Sequence, residues 1–543
     1  MRKPGRLETT LLLVGSLLIG AFFRFAGLGW GEGQPIHPDE EFLRQVVTAV
    51  ELPDHVGLYL DTENSPLNPY NRGHTFFVYG TLPLFVTRAV AEGLDGGCES
   101  PYSLPARLLS PLLLGRPVEE CRPGSFSGAG ARMVGRALAA LFDLGSLVFV
   151  FLIGRRLYGR WVGFLASLLY GLAALPIQQA HFFTVDAFAN FFVAGTLYLA
   201  IWAAQTGGWG PFALAGLTTG LGVACKISVW PLGLLVALAG VIRAATTEGR
   251  RYGGIVGRLV LAGVLALLAF RLAQPYAFLG PGLFGLRPNP RWLGNMAEIR
   301  RQMSGAVDTY PGHQWTNRTA LIFPWVNMVF WGLGLPLGLA AWAGWGLIGV
   351  DLLRRWLRQR ELPLLFLPWT WGTVYFLYQG TQWVKSMRYL LPVYPVFALF
   401  AAWLVVRPVK FGVRSRGNAV GVGMGALVVV GALSWALALT SIYTRPHTRV
   451  AASRWIFESV PAAATVHLRA AEGDTQVQVV LPPGTVVAEG APAVAPFTVG
   501  EEADLTGVTL NYVVDPAGDP ELEVVRVAVA ADAAGEGVLA EAA

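Results

Sequence analysis

Residues 131–160 read ARMVGRALAALFDLGSLVFVFLIGRRLYGR, an apolar run that opens with Arg132 and Arg136 and closes in Arg155, Arg156 and Arg160. The run 131–153 is long enough to cross ~30 Å of hydrocarbon as a helix. Short basic connections stay on the cytoplasmic side, which fixes 154–160 inside and the Arg132 end outside. The other basic clusters obey the same rule: Arg2/Lys3/Arg6, Arg243/Arg250/Arg251/Arg258, Arg354/Arg355/Arg358/Arg360 and Arg407/Lys410/Arg414/Arg416. One path places them all inside, with about eleven spans near 9–30, 131–153, 161–178, 187–204, 211–224, 227–242, 257–275, 320–348, 363–379, 389–406 and 419–442. Phe76–Val90 is the test of that path, because a crossing there would put 154–160 outside. Its shortness marks it instead as an interfacial or re-entrant helix.

Composition agrees. The chain is 54% hydrophobic and 14% charged, with a mean hydropathy of +0.49. No soluble domain needs so many apolar runs. The expected fold is mostly α: a polytopic membrane helix bundle over 1–442, followed by a small β-rich extracytoplasmic domain over 443–543. The first apolar stretch ends in Gly-Leu-Gly-Trp rather than a small-residue cleavage site, so it reads as an anchor. From Tyr443 onward five Arg and no Lys stand against fourteen Asp and Glu, a balance of −9. Alternating Val in 476–481 and 522–529, between Pro-Pro-Gly and Asp-Pro turns, predicts strands there. The basic clusters lack interleaved aromatics and lie between spans, which excludes a nucleic-acid surface. Cys98 and Cys121 share an external segment where a disulfide could form, whereas Cys225 reads as a small core residue. Gly421-Val-Gly423-Met-Gly425 opens an apolar span, so it predicts close helix packing rather than a nucleotide loop.

Four external segments open on one face: 31–130, Gln178–Asp186, 276–319 and Gly380–Arg388. The first carries His37-Pro38-Asp39-Glu40-Glu41. Carboxylates beside hydrocarbon lose hydration and need something to bind or react with. Asp39 and Glu40 together suit proton abstraction, their mutual repulsion raising at least one pKa. His37 would orient one of them or meet a substrate hydroxyl. Asp186, in His181-Phe-Phe-Thr-Val-Asp186-Ala-Phe-Ala-Asn190, stands where one span ends and the next begins. It reads equally as a helix cap and as a substrate contact.

The same face also carries cations: Arg132 with Arg136 one turn deeper, Lys226, Arg271, Lys385 and Arg388. Singly each would be a snorkelling side chain. Together, on the face that should be poor in Lys and Arg, they imply an anionic partner at membrane depth, with a lipid phosphate foremost. A divalent metal is compatible with Asp39 and Asp186, but no ligand set demands one.

In this order the motifs resemble the GT-C class of membrane glycosyltransferases, especially the protein O-mannosyltransferases and lipid A aminoarabinose transferases. The likeness rests on His37-Pro-Asp-Glu40 in a long first external loop, Arg132 opening the second span and Gly-Arg-Arg-Leu-Tyr-Gly at 154–159. It also rests on Asp186, on Lys226 ahead of an apolar-Pro stretch, and on Arg-Tyr-Leu-Leu-Pro at 388–392. It covers roughly residues 8–460. The resemblance implies Asp39 as base with Glu40 assisting, and Arg132, Lys226 or Arg388 on the phosphate of a polyprenyl-phosphate-sugar donor. His37, His181 and Asp186 would then line the substrate site. The acceptor, whether lipid, glycan or protein, does not carry over, because 276–319 and the Val-rich tail depart from the family pattern. The expected reaction is inverting transfer to a hydroxyl on the extracytoplasmic face of the cell membrane. The alternative is a lipid or solute transporter or flippase, which would also keep charges along a substrate path.

Overall fold

Without water to satisfy them, the backbone groups of an apolar stretch are paired internally, and the chain builds helices accordingly. The computed structural model describes residues 5–96, 128–246, 252–307, 312–410, 416–488, 491–510, 513, 525–532 and 537–542. Cys98 and Cys121 lie outside the described residues. The first helices are α1 (Arg6–Phe25), α2 (Pro38–Ala49), α3 (Thr81–Gly96), α4 (Gly128–Tyr158) and α5 (Arg160–Gly171). Then come α6 (Ala174–Ala180), α7 (Val185–Thr206), α8 (Trp209–Cys225), α9 (Leu232–Ala245), α10 (Tyr252–Ala273) and α11 (Pro290–Ser304). The last are α12 (Leu335–Gln359), α13 (Phe366–Gly380), α14 (Tyr394–Lys410), α15 (Arg416–Tyr443) and α16 (Thr448–Ser459).

Among the described residues eight helices are long and apolar enough to cross a bilayer, and the bent pair α5–α6 would make nine. The other expected spans are broken or short. The stretch 161–178 is bent by 59° between α5 and α6. Pro176 has no N–H for the Leu172 carbonyl and its ring crowds that position, so one helix cannot run through. Helices α8 and α13 have 17 and 15 residues, only ~25 and ~22 Å at 1.5 Å per residue. The stretch 320–348 divides at Gly334, whose φ of +80° suits glycine, and α12 restarts with Pro336 in its first turn.

The bundle, residues 1–28 with 35–444, is one compact unit. Its centre is α7: 83% of its apolar window is buried, against 17% for α1. Around α7 pack α4, α8 and α9. Helices α8 and α10 approach closely because Gly216 and Gly220, four residues apart, face the carbonyls of Ala262 and Ala266. A Cβ at either glycine would come within 2.1 Å of those oxygens. Gly425 of α15 likewise meets Val405 of α14, while Gly423 faces open space. The two ends of the bundle differ chemically. At one, Arg160 pairs with Glu8 at 2.7 Å and Arg156 with Gln205 at 2.7 Å. At the other, a second apolar cluster joins Leu43, Val46, Val47 and Val50 of α2 to Phe77, Leu84, Phe183 and Tyr276. That cluster seats α2 and α3 firmly on the bundle end.

The second unit comprises 29–34 and 445–543. It holds α16, a three-stranded antiparallel sheet ordered β2-β1-β3, and a two-stranded β4–β5 ribbon. The strands are β1 (Ala462–Ala470), β2 (Gly473–Leu481), β3 (Ala503–Leu510), β4 (Val527–Ala530) and β5 (Val538–Ala542). Val466, Leu468 and Val479 form its small core with Phe497 and Leu505.

Candidate active site

Helix α2 presents the acidic motif. Leu43, Val46, Val47 and Val50 recur at helical spacing and are buried, which fixes one face inward. Pro38 occupies the first helical position rather than ending a helix, and the His37 ring accepts the Glu40 N–H as N-cap. Three acids in the first turn also suit the positive end of the helix dipole.

Asp39 is ion-paired with Arg388, with both side chains about one-fifth exposed. Burial pushes the Asp39 carboxyl upward, but the Arg388 charge and hydrogen bond, His37 and the Tyr79 hydroxyl outweigh it and hold it below the ordinary aspartate range. Repulsion by Glu40 therefore does not raise Asp39: its controlling neighbour is a guanidinium. Burial, with Asp39 also acting on it, keeps Tyr79 protonated, so it donates to Asp39. Burial lowers His37, against the pull of Asp39, and its ring lies 4.5 Å from Phe182.

A second pair lies alongside. Asp186, in the first turn of α7, accepts from Lys226 at 2.5 Å, with the two side chains 4% and 15% exposed. The cap of α7 is Thr184, not Asp186. The Tyr389 ring joins the two pairs: Lys226 Nζ is 4.4 Å and the Arg388 guanidinium 5.3 Å from its centre. Asp186 is in electrostatic contact with both Arg388 and His37. His37, Asp39, Tyr79, Asp186, Lys226, Arg388 and Tyr389 thus form one constellation at one end of the bundle.

Three expected residues stand differently. Glu40 is buried. Its two oxygens take Arg136 Nε and Nη2 at 2.7 Å each, and the Phe183 N–H at 2.8 Å. These bonds anchor α2 to α4 and turn the Glu40 carboxylate toward Arg136 and Phe183. Arg132 pairs with Glu41 at 2.8 Å. Glu41 also binds Arg44, and that bond, against some burial, brings it down to about 2. His181 is fully buried, its ring nitrogens facing the carbonyls of Ile177 at 2.8 Å and Ala26 at 3.0 Å, and it stacks on Tyr443. It has no surface for substrate. Arg271 and Lys385 bind loop carbonyls, those of Pro275 and Gly282 and that of Trp383.

Three other polar groups have partners that the sequence did not reveal. Tyr79 carried no signal, since aromatics are ordinary at a membrane face. Arg24 and Asp143 did carry one, as charges inside apolar runs. They pair at 2.9 Å, 0% and 1% exposed, and Asp143 also accepts from Tyr170. A shallow groove adjoins the site, lined by Tyr79, Gln274, Ile227, Phe270, Trp292 and Met296 among others. Among the described residues no three His, Cys, Asp or Glu side chains gather in a way that could hold a metal ion.

Residues 128–274 match the family model of dolichyl-phosphate-mannose-protein mannosyltransferases. That stretch includes Arg132, Arg136, Asp186 and Lys226. No curated protein matches the chain. Among solved structures, the Archaeoglobus fulgidus oligosaccharyltransferase tethered to an acceptor peptide is similar at a TM-score of 0.50 and 14% identity. That alignment covers 92% of this chain and 61% of that one. ArnT from Cupriavidus metallidurans bound to undecaprenyl phosphate aligns at 0.45 and 14%, covering 83% and 79%. The chain spans 55–61% of the archaeal enzyme's length. The fold is GT-C-like, as the sequence motifs imply.

Proposed function

We propose that the chain is a membrane glycosyltransferase. It moves a sugar from a polyprenyl-phosphate carrier to a hydroxyl acceptor on the extracytoplasmic face, with inversion at the anomeric carbon. The carrying observation is the convergence of an ionised Asp39 with two cations, Arg388 and Lys226, each held by an acid and by the Tyr389 ring. The family-model match over 128–274 supports the same reading.

The donor is a phosphodiester with one negative charge. As the bond from its anomeric carbon to the phosphate oxygen lengthens, the carbon becomes electron-poor and the acceptor oxygen attacks from the opposite face. The O–H then acidifies, and its proton passes to Asp39. A weak base suffices because the transfer comes late. The phosphate leaves with a second negative charge. Once Asp39 carries the proton, Arg388 loses its partner charge as the leaving group gains one, so the guanidinium turns to the phosphate. Lys226 provides the second charge. In this scheme the two side chains take the part a divalent ion would otherwise play.

The test is transfer of labelled sugar from a polyprenyl-phosphate donor by purified protein, with released carrier phosphate read by mass spectrometry. Asp39→Asn should cut transfer by about 10²–10⁴-fold while leaving membrane insertion normal. Unchanged transfer would rule the proposal out.

A further inference from the structure

Asp186 and Tyr389 hold the tip of the Lys226 side chain, and its backbone has a separate hold. Helix α8 ends at Cys225, and Lys226 itself is extended, with φ −153° and ψ 114°. Carbonyls in the last turn of a helix have no helical partner. That of Cys225 accepts the N–H of Gly80 at 3.2 Å, from the loop that carries Tyr79. The approach leaves no room for a side chain. A Cβ on Gly80 would lie 2.1 Å from the Ala224 carbonyl oxygen and 2.3 Å from that of Cys225. The φ of Gly80 lies outside the left-handed region, so space rather than conformation requires glycine there.

The loop is fastened on both sides of this contact. Before it, Tyr79 donates to Asp39. After it, Thr81 is 1% exposed. Thr81 donates its N–H to Gln274 Oε1 and its hydroxyl to the Ala273 carbonyl, each at 2.6 Å. Residues 79–81 thus run from the base, past the backbone of the second cation, to the end of α10. A methyl group at Gly80 would have to part the loop from Ala224 and Cys225 by about an ångström to restore ordinary contact.

We propose that Gly80 is a positioning residue for carrier binding: its contact with Cys225 sets where Lys226 stands relative to the loop that meets Asp39, so that cation and base address one donor. This rests on the glycosyl-transfer reading above, in which Lys226 contacts the carrier phosphate.

The test measures undecaprenyl phosphate binding to the full chain in nanodiscs, together with melting temperature. Gly80→Ala should weaken binding about tenfold. In a Lys226→Met background the same change should cost less than about twofold, because the contact acts through Lys226. Gly344→Ala is the packing control, since a Cβ there would meet the Phe400 carbonyl at 2.3 Å, between α12 and α14. It should lower the melting temperature and leave the affinity unchanged. Should Gly80→Ala fail to fold, Gln274→Leu releases Thr81 without adding bulk beside Cys225. It should weaken binding in the same direction, and only where Lys226 is present. Unchanged affinity in the loop variants, a loss of equal size with and without Lys226, or a loss matched by Gly344→Ala would overturn the positioning role. A wild type that does not bind undecaprenyl phosphate would instead defeat the underlying glycosyl-transfer reading.

Discussion

Asp39 and Glu40 are chain neighbours in the first turn of one helix, yet they occupy opposite situations. Glu40 and Arg136 are 2% and 3% exposed, and two backbone groups, the Phe183 N–H and the Leu28 carbonyl, complete the pair. Asp39 and Arg388 are 21% and 20% exposed and meet a tyrosine and a histidine. Successive helix residues point about 100° apart, so one side chain turns to the bundle and the other to the open end. A fully buried pair cannot exchange partners without stranding a charge. A partly exposed pair can, and that is what a base beside a departing phosphate requires. Arg24–Asp143 belongs with Glu40–Arg136, and Lys226–Asp186, with a partly exposed cation and a buried acid, stands between the two kinds.

This contrast can be broken by substitution. The largest effect on stability should follow Arg136→Met, which strands Glu40 in the interior. A loss of about 3–5 kcal/mol is expected, seen as a lower melting temperature, and Arg136→Met with Glu40→Leu should recover most of it. A small shift from the single variant would show that the pair is not structural. Lys226→Met should weaken carrier-phosphate binding by about 10–100-fold, the scale of one charged hydrogen bond, with a smaller loss of stability than Arg136→Met because Lys226 keeps some exposure in its pair with Asp186. The smallest expected effect is a displaced pH profile. Asp39 sits below its usual range in the fold, so its ionised form stabilises the protein above the unfolded value of ~3.9, and that contribution goes as pH falls through the folded value. The acid limb of transfer should therefore lie below pH ~4. Arg388→Gln removes the main opposition to burial, so residual activity should show its acid limb at higher pH. An unmoved limb would mean that Asp39 is not the titrating group.

Much of this was legible beforehand. Hydropathy located the spans, and the basic clusters told the ends of the bundle apart, as Arg160 with Glu8 at one end and Asp39 with Arg388 at the other illustrate. Span continuity was less legible. Hydropathy cannot see that Pro176 starves the Leu172 carbonyl or that Gly334 turns the chain. Within the site, residue type identified which side chains carry charge but not which partner each meets. Glu40 and His181 read like site residues because burial and backbone partners are tertiary facts. Tyr79 needed the fold to bring it to Asp39. Arg24 and Asp143 were the avoidable omission, since two opposite charges inside apolar runs predict each other.

The division of labour between the neighbours is open to one paired measurement: sugar transfer and melting temperature for Asp39→Asn and Glu40→Gln, side by side. Asp39→Asn should cut transfer by about 10²–10⁴-fold with only a small fall in melting temperature, and Glu40→Gln should lower the melting temperature more. Transfer persisting in Asp39→Asn, or a melting temperature that falls with Asp39→Asn and holds with Glu40→Gln, would contradict the assignment.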